Sequence, residues 1–267
     1  MASDIFSKVE HGRTADEVVQ QVESLILDGV LRVGDRLPGE RELARRFDVS
    51  RPILREALKT LEQRGLLTSR HGGGTFIADV IGEIFSQPVM DLIARHRRAT
   101  YDYLEYRHEV EGITAAFAAE RATKADKDLL QGIVESMREA HAQEDFDREA
   151  ALDVEFHSAI GEAAHNIILL HTLRSCYRLL SNGVFFNRAL IYQYSGSRDR
   201  LLEQHIAIFE AIAASNPDMA KRAAENHMEF VARTLKQAER ANDWVRVANL
   251  RLQQRGQKGG GKKQKTE

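Results

Sequence analysis

The chain has 267 residues and a formal net charge of -2, with 43% hydrophobic and 29% charged residues. This length exceeds that of a usual single domain and predicts two domains with separate cores. The single cysteine, Cys176, excludes an internal disulfide and fits a reducing compartment, and no apolar run approaches the ~20 residues that a membrane helix needs, so we expect a cytoplasmic protein without a membrane partner.

Three short helical segments come first in the chain. Residues 14–27 carry apolar side chains on one face, which predicts a helix that Gly29 ends. A helix-turn-helix follows at about residues 40–59, and Ser50 occupies the N-cap position of its second helix. Gly65 stands where a helix C-terminus favours glycine, so this second helix has a defined start and end.

A short hairpin is predicted after these helices. Residues 66–69 and 75–78 have the pattern of two strands, and a glycine-rich turn joins them. Three helices and a two-stranded wing predict a winged helix-turn-helix over residues 13–79, preceded by an N-terminal arm of residues 1–12.

The helix-turn-helix carries a local excess of positive charge that the net charge of the chain hides. Residues 41–72 contain eight Lys/Arg and four acidic residues. Arg51 and Arg55 lie one turn apart on one face of the second helix, where an arginine can donate two hydrogen bonds to guanine in the major groove. These two residues are the predicted base readers, and the alternative is a solvated basic helix face.

Four further residues are candidates for DNA contacts because of their positions. Arg41 can reach a phosphate or a base from the preceding helix, and Ser50 can bind a phosphate. His71 and Gly72 lie at the tip of the predicted wing and can enter the minor groove. Each position is also compatible with plain solvent exposure.

Long helical patterns with few prolines follow the predicted wing. We expect a linker and connecting helix over residues 80–98, an all-helical domain over residues 99–240, and a C-terminal segment over residues 241–267. The Gly/Lys/Gln-rich tail from Gly256 onward is expected to be disordered. The predicted fold class is therefore mainly α, a winged helix-turn-helix followed by an all-α helical bundle. The predicted helices of this second part cover residues 88–97, 100–122, 126–143, 146–163, 167–182, 198–214 and 217–242.

A carboxylate and three imidazoles fall on predicted helices of the second domain. Asp153 and His157 are four residues apart and share one helix face, and His205 and His227 lie on two later helices. This donor set suits a divalent cation, Zn²⁺ above all, and open coordination positions leave room for a small carboxylate or water. Because the chain has ten histidines, satisfied core histidines are the alternative.

Arg107 lies on a predicted helix that is expected to line the same cavity. Its guanidinium can pair in bidentate fashion with an acidic effector. An ion pair with Glu111, four residues later on the same helix, is the equally weighted alternative.

The run LPGERELARRFDVSRPILREALKTLEQRGLLTSRHGGGTFI, residues 37–77, resembles the winged-helix domain of the GntR superfamily of bacterial transcription regulators. In the second domain the similarity is to the FCD-type ligand-sensing domain of the FadR subgroup, whose metal-binding members carry the same Asp, His, His and His set. The similarity covers about residues 13–255 and implies a bacterial repressor, associated with the nucleoid when DNA-bound. It implies operator contacts for Arg41, Ser50, Arg51, Arg55, His71 and Gly72, and a place close to the effector pocket for Arg107.

Shorter segments narrow the implied effector to small 2-oxo or 2-hydroxy monocarboxylates. FSQPVMDLI, EAAHNIILLHTLR and LRLQQR are similar to repressors of pyruvate dehydrogenase complex genes, which makes pyruvate the first candidate. FHSAIGEAAHN, RALIY and LLEQHIAIFEAI also fit lactate-responsive repressors. Some pyruvate-responsive members lack the Asp and the first His of the metal set, whereas Asp153 and His157 are present here, so lactate and glycolate stay open.

A homodimer is the form in which these two domains are expected to act. Two winged domains in successive major grooves require half-sites about 34 Å apart, which predicts a near-palindromic double-stranded operator. Binding of the acid is expected to change DNA affinity, usually by releasing repression. A ligand-independent dimeric DNA-binding protein is the rival hypothesis, and an enzyme is disfavoured because no general base with motif-like spacing accompanies the histidines.

Overall fold

The computed structural model describes residues 14–70, 73–79, 96–181, 191, 194 and 196–260. The chain divides into two compact units. The first unit contains Met1–Gln87 and Asn166–Ser175, and the second contains Pro88–His165 and Cys176–Glu267.

Helices and a small antiparallel sheet form the N-terminal part of the first unit. This arrangement confirms the predicted winged helix-turn-helix, although each strand lies one residue away from its predicted bounds. The pairing joins Leu67 to Ile77 and Arg70 to Gly74, and Arg36 adds an isolated bridge to Phe76. The elements are α1 (Ala15–Leu27), α2 (Glu40–Phe47), α3 (Arg51–Gln63), β1 (Leu67–Arg70) and β2 (Gly74–Ile77).

Local sequence signals set the ends of these helices. Thr14 and Glu17 form a capping box at the start of α1, in which each side chain accepts a hydrogen bond from the other residue's backbone N–H. Helix α2 ends at Phe47, and its C-cap Asp48 has a left-handed conformation (φ 55°) that Asp tolerates better than most residues. Ser50 is the N-cap of α3, as predicted, and Gly65 follows that helix with a φ of 74°.

The core of the first unit lies where the three helices and the wing meet. Apolar side chains at helical spacing on α1, α2 and α3 are buried together, and each strand contributes one buried residue. This burial removes the apolar faces of all three helices from water, which is the main favourable contribution to their stability. The core includes Val18, Val22, Leu43, Phe47, Leu54, Leu61, Leu67 and Ile77.

The N-terminal part of helix α7 (Ile167–Ser181) belongs to this first unit. His171 Nε2 donates a hydrogen bond of 2.9 Å to the Leu27 carbonyl, and Arg174 Nη2 donates one of 3.3 Å to the Gly29 carbonyl. Gly29 has a φ of 72°, and a Cβ there would lie 2.7 Å from Arg174 Nη1. The sequence pattern predicted the helix, but not that its residues divide between the two units.

Every element of secondary structure described in the second unit is a helix, which confirms the predicted mainly α class. Its core centres on side chains that face one another from several helices, among them Phe156, Leu130, Ile208 and Ile212. These residues recur at helical spacing because each helix has one apolar face that must be buried. Besides the remainder of α7, the helices are α4 (Arg97–Arg121), α5 (Lys124–Ala142), α6 (Phe146–Ala163), α8 (Ser197–Ala213) and α9 (Pro217–Gly260).

Helix α9 differs from the prediction for the end of the chain. We expected a helix to residue 242 and a disordered tail from Gly256, but α9 continues to Gly260, so the expectation was wrong for residues 256–260. After Pro217 the segment has no proline, and its Ala, Arg, Leu and Gln residues favour helix. Residues 261–267, and residues 88–95 of the helix predicted over residues 88–97, lie outside the described residues.

None of the described helices combines the length and the apolar character that crossing a bilayer requires.

Candidate DNA-binding and metal-binding sites

The exposed face of α3 carries the two predicted base readers. The side chains of Arg51 and Arg55 are 58% and 62% exposed. Both face Glu40 at the start of α2: Arg55 Nε donates a 2.8 Å hydrogen bond to Glu40 Oε2, and Arg51 Nη2 lies 3.7 Å from the same oxygen. Because these ion pairs are solvent-exposed, they contribute little to stability. Their effect is to hold two guanidinium groups on one side of α3, and the sequence did not reveal Glu40 in this role.

The other predicted DNA contacts are only partly described. Arg41 and Ser50 are exposed, and the Ser50 hydroxyl makes no capping hydrogen bond although Ser50 occupies the N-cap. His71 and Gly72 lie outside the described residues. Beside them, the Arg70 guanidinium lies 4.7 Å from the centre of the Phe76 ring, a cation–π contact that supports the wing.

The four predicted metal ligands come together in the second unit. Asp153 and His157 lie on α6, His205 on α8 and His227 on α9, and one potential ligand atom from each lies within 4.8 Å of all the others. The three histidines are buried, and their ring centroids are 4.6 to 5.3 Å apart. Asp153 Oδ1 lies 3.4 Å from His205 Nε2. The sequence therefore identified four side chains that the fold places at one point.

Two residues that sequence spacing did not find orient these imidazoles. His157 Nδ1 lies 2.8 Å from Glu111 Oε2, and His227 Nδ1 lies 3.2 Å from Gln204 Oε1. Each contact occupies Nδ1 and leaves Nε2 directed elsewhere, as in metal sites where a second partner fixes the tautomer of a ligating histidine. The buried Nε2 of His157 has no hydrogen-bond partner among the described residues. An unpaired buried nitrogen of this kind fits a metal ligand.

The electrostatics of the cluster favour the protonation states that a metal requires. Burial lowers the pKa of His227, and the imidazoles of His205 and His157 lower it further. Burial alone would raise the pKa of Glu111, but the Arg107 guanidinium and the His157 imidazole hold it well below its usual range. A neutral His227 can donate a lone pair to a cation, and an ionised Glu111 can accept the N–H of His157.

Arg107 makes the ion pair that was the alternative to effector binding. Only 4% of the residue is exposed, and its Nε donates a 2.6 Å hydrogen bond to Glu111 Oε1. Its Nη2 donates a 3.0 Å hydrogen bond to the Tyr177 hydroxyl. Arg107 therefore acts on the cluster through Glu111, and a direct contact with an effector stays a prediction.

A cavity of about 30 Å³ adjoins the histidine cluster. Asp153 and His205 form part of its wall, so a molecule in the cavity would meet two of the four predicted ligands. The wall also contains a guanidinium, a carboxylate and an imidazole that sequence spacing had not connected with the site. The lining residues are Met137, His141, Glu149, Asp153, Arg198, Leu201, Leu202 and His205.

Three imidazoles and one carboxylate are the donors that borderline divalent cations such as Zn²⁺ prefer. The described residues fit such a cation because Glu111 and Gln204 fix two of the rings and His157 Nε2 has no other partner. Four protein ligands leave further positions open in a five- or six-coordinate site. The residues can therefore hold a metal and still admit a small oxygen ligand.

A winged helix-turn-helix joined to an all-helical unit is an arrangement typical of DNA-binding regulators. The family comparisons agree with this class. Residues 14–77 match the family described as "Bacterial regulatory proteins, gntR family", and residues 102–230 match the FCD domain. The chain belongs to the GntR family of transcription regulators with an FCD domain, and these proteins are not enzymes.

The similarity to known proteins extends over most of the chain. The "Putative L-lactate dehydrogenase operon regulatory protein" of Escherichia coli K12 is 42% identical over 89% of this chain and 92% of its own length. The "Glc operon transcriptional activator" of the same strain is 33% identical over 87% and 92%. Among solved structures, Streptococcus agalactiae GntR is 30% identical and has a TM-score of 0.54, with 82% of this chain and 99% of that chain covered.

Proposed function

We propose that the protein is a metabolite-responsive repressor that binds operator DNA as a homodimer and changes its DNA affinity when a small carboxylic acid binds the helical domain. The observation that carries this proposal is the buried set of Asp153 and three histidines, in which His157 Nε2 has no partner among the described residues. Purely structural histidines would be expected to have both ring nitrogens paired or solvated, because an unpaired buried polar atom is costly.

We infer that Asp153, His157, His205 and His227 hold a divalent cation, with Zn²⁺ as the first candidate. When bound, such a cation would supply a Lewis-acidic centre for oxygen atoms of the effector. Glu111 and Gln204 contact Nδ1 of His157 and His227, respectively. These contacts favour the tautomer with the proton on Nδ1 and leave Nε2 of each ring available to the cation. Arg107 contributes to effector binding by holding Glu111, and the direct ion pair expected from the sequence is kept as a testable alternative.

The effector is proposed to be a 2-hydroxy or 2-oxo monocarboxylate. The relative with 42% identity is described as a regulator of an L-lactate dehydrogenase operon, which favours L-lactate and control of lactate-oxidation genes. Pyruvate, with regulation of pyruvate dehydrogenase complex genes, was the first candidate from short sequence segments and is the second candidate here. Glycolate differs from lactate by one methyl group and belongs in the same test.

DNA recognition is proposed to use α3 as the major-groove reader. Arg51 and Arg55 would contact bases, Arg41 and Ser50 would contact the backbone, and His71 and Gly72 would enter the minor groove. In a homodimer the half-sites of the near-palindromic operator would lie about one helical turn apart. An effector coupling of ~1–3 kcal/mol would change operator affinity about 5- to 150-fold.

A thermal-shift screen tests the sensor part of this proposal. Purified protein is analysed for metal content and then heated with L-lactate, pyruvate, glycolate, acetate and succinate, because a ligand that binds only the native state raises Tm. We expect one metal per chain and a rise in Tm with L-lactate that is lost after chelation. A protein with no stoichiometric metal and no change in operator affinity with any acid would support the ligand-independent DNA-binding protein instead.

Substitutions on α3 test the DNA-reading part. An operator is first selected from a random duplex pool, and its affinity is compared with that of a scrambled duplex. We expect Arg51→Ala and Arg55→Ala to lose most of this selectivity while the dimer persists. Lys59→Ala, an exposed residue one turn further along α3, is the matched control and should weaken both duplexes about equally. Selectivity that survives in both arginine variants would show that α3 is not the reading helix.

A further inference from the structure

Arg198 occupies an electrostatically unfavourable position at the start of α8. It is the second residue of that helix, where the partial positive charge of the helix N-terminus disfavours a cation. Glu149 on α6 compensates this charge: Arg198 Nη2 and Nε lie 2.5 and 3.3 Å from the two Glu149 carboxylate oxygens. Arg198 Nη2 also donates a 3.1 Å hydrogen bond to the His141 carbonyl. The guanidinium is therefore fixed in place by α5 and α6.

The guanidinium of Arg198 lines the cavity that also reaches Asp153 and His205. Its side chain is 19% exposed and that of Glu149 is 10% exposed, so the pair is screened from water but not sealed off. Arg107, by contrast, is 5% exposed and directs its Nε and Nη2 to Glu111 and Tyr177. Of these two arginines, Arg198 is the one in the cavity wall.

We propose that Arg198 pairs with the carboxylate of the effector, and that the effector replaces Glu149 as the partner of this guanidinium. This inference rests on the proposed function, namely that a small 2-hydroxy or 2-oxo acid binds beside the ligand cluster. Arginine and a carboxylate form a planar pair of hydrogen bonds, so one acidic group can substitute for another without moving the guanidinium. The 2-oxygen of the acid then faces the side of the cavity that Asp153 and His205 form.

The volume of the cavity favours movement of a side chain. A cavity of about 30 Å³ is small for a three-carbon acid, so a side chain that leaves its wall would make room for one. Displacement of the Glu149 carboxylate opens space where a new carboxylate can sit. His141 is placed to receive the displaced group, because its Nδ1 lies 3.7 Å from Glu149 Oε1 and its Nε2 lies 2.9 Å from Asp199 Oδ1.

The proposal assigns recognition of the acid group to a single guanidinium, which makes a neutral analogue informative. L-Lactamide has the carbon skeleton and 2-hydroxyl of L-lactate but no negative charge. The zinc-loaded full-length protein is titrated calorimetrically with L-lactate, pyruvate and L-lactamide. Wild-type protein is expected to bind the acids far more tightly than the amide, since a hydrogen bond to a charged group contributes more than one between neutral groups.

Substitution of Arg198 should remove this discrimination. We expect Arg198→Gln to bind L-lactate about 10- to 100-fold more weakly and L-lactamide with little change, while zinc content stays the same. Arg198→Lys keeps the charge but not the planar pair of donors and should fall in between. Arg148→Gln, an exposed arginine on α6 that pairs with Glu139, is the matched control and should behave as wild type.

Glu149→Gln gives an independent test if Arg198→Gln folds poorly. Because Glu149 competes with the effector for Arg198, its neutralisation should tighten L-lactate binding several-fold. A zinc-loaded Arg198→Gln protein that keeps the wild-type preference for lactate over lactamide would overturn the assignment, and so would weaker lactate binding in Glu149→Gln. If only the Arg107→Lys variant lost the preference for lactate over lactamide, the partner of the effector carboxylate would be Arg107 and not Arg198. If wild-type protein binds neither L-lactate nor pyruvate, both the proposed function and the assignment of Arg198 are wrong.

Discussion

Replacement of Glu111 by glutamine tests how the buried ion pair supports the metal ligands. The side chain keeps its size, but its two oxygens become one carbonyl oxygen and one amide NH₂ group. In the wild type, Oε1 accepts from Arg107 Nε at 2.6 Å and Oε2 lies 2.8 Å from His157 Nδ1. If the glutamine carbonyl keeps the contact with Arg107, its NH₂ group faces His157 Nδ1. The imidazole must then carry its proton on Nε2, the atom that a metal would need.

The expected magnitude follows from the burial of the three groups. Arg107 and Glu111 are each 5% exposed and His157 is 3% exposed, so solvent screens none of them appreciably. Loss of one partner of a buried ion pair costs about 3–5 kcal/mol because the remaining charge stays buried. At roughly 2–4 °C per kcal/mol for a protein of this size, Tm should fall by about 6–20 °C. Loss of the residue that orients a ligating histidine should weaken zinc binding by about 10- to 100-fold.

Two measurements separate the structural effect from the effect on the metal. Tm of the metal-free protein is measured by calorimetry, and zinc affinity is measured by competition with a chromophoric chelator at neutral pH. Glu105→Gln removes a carboxylate from an exposed position of the same helix and should change neither quantity. A Glu111→Gln protein that loses stability but binds zinc with wild-type affinity would refute the claim that Glu111 orients His157.

Four further predictions concern stability. Chelation of the metal should lower Tm in the metal-bound protein, because saturation at 100 times Kd contributes about 2.7 kcal/mol. In metal-free protein the contribution of His227 to the free energy of unfolding should be complete above pH 6.5 and should decrease as the pH falls below that value, because the pKa of His227 is lowered in the folded protein and the unfolded chain binds the proton first. Urea unfolding at several pH values measures this dependence. Gly29→Ala should lower Tm, since φ is 72° and the added Cβ would lie 2.7 Å from Arg174 Nη1. Gly132→Ala, at an open position inside α5, should raise it slightly.

Periodicity and capping signals were sufficient to predict most helices of the second unit. Helix α6 was predicted at Phe146–Ala163 and has those bounds. Its start is defined by Asp145, which accepts a hydrogen bond of 3.0 Å from the Arg148 backbone N–H. The last residues of α9, 256–260, were expected to be disordered because a Gly/Lys-rich composition is typical of disordered tails.

Of the candidate site, the sequence predicted the four metal ligands but not the residues that contact or orient them. The spacing placed Asp153 and His157 on one helix face and His205 and His227 on later helices, but it left satisfied core histidines as the alternative. The family resemblance favoured the metal site. Glu40, Gln204 and Glu149 act on residues that lie on other helices. Such contacts depend on how helices pack against one another, and no spacing along one chain segment encodes them.

Glu40 offers a final test, because one carboxylate holds both predicted base readers. In DNA, phosphate oxygens and guanine edges would compete with Glu40 for Arg51 and Arg55. We expect Glu40→Gln to tighten binding to a scrambled duplex more than to the selected operator, so that selectivity falls, and to steepen the salt dependence by about one phosphate contact. Fluorescence anisotropy at several salt concentrations measures both effects. Glu56→Gln removes the same charge from an exposed position of α3, so an equal loss of selectivity there would show that net charge, and not the restraint of Arg51 and Arg55, is responsible.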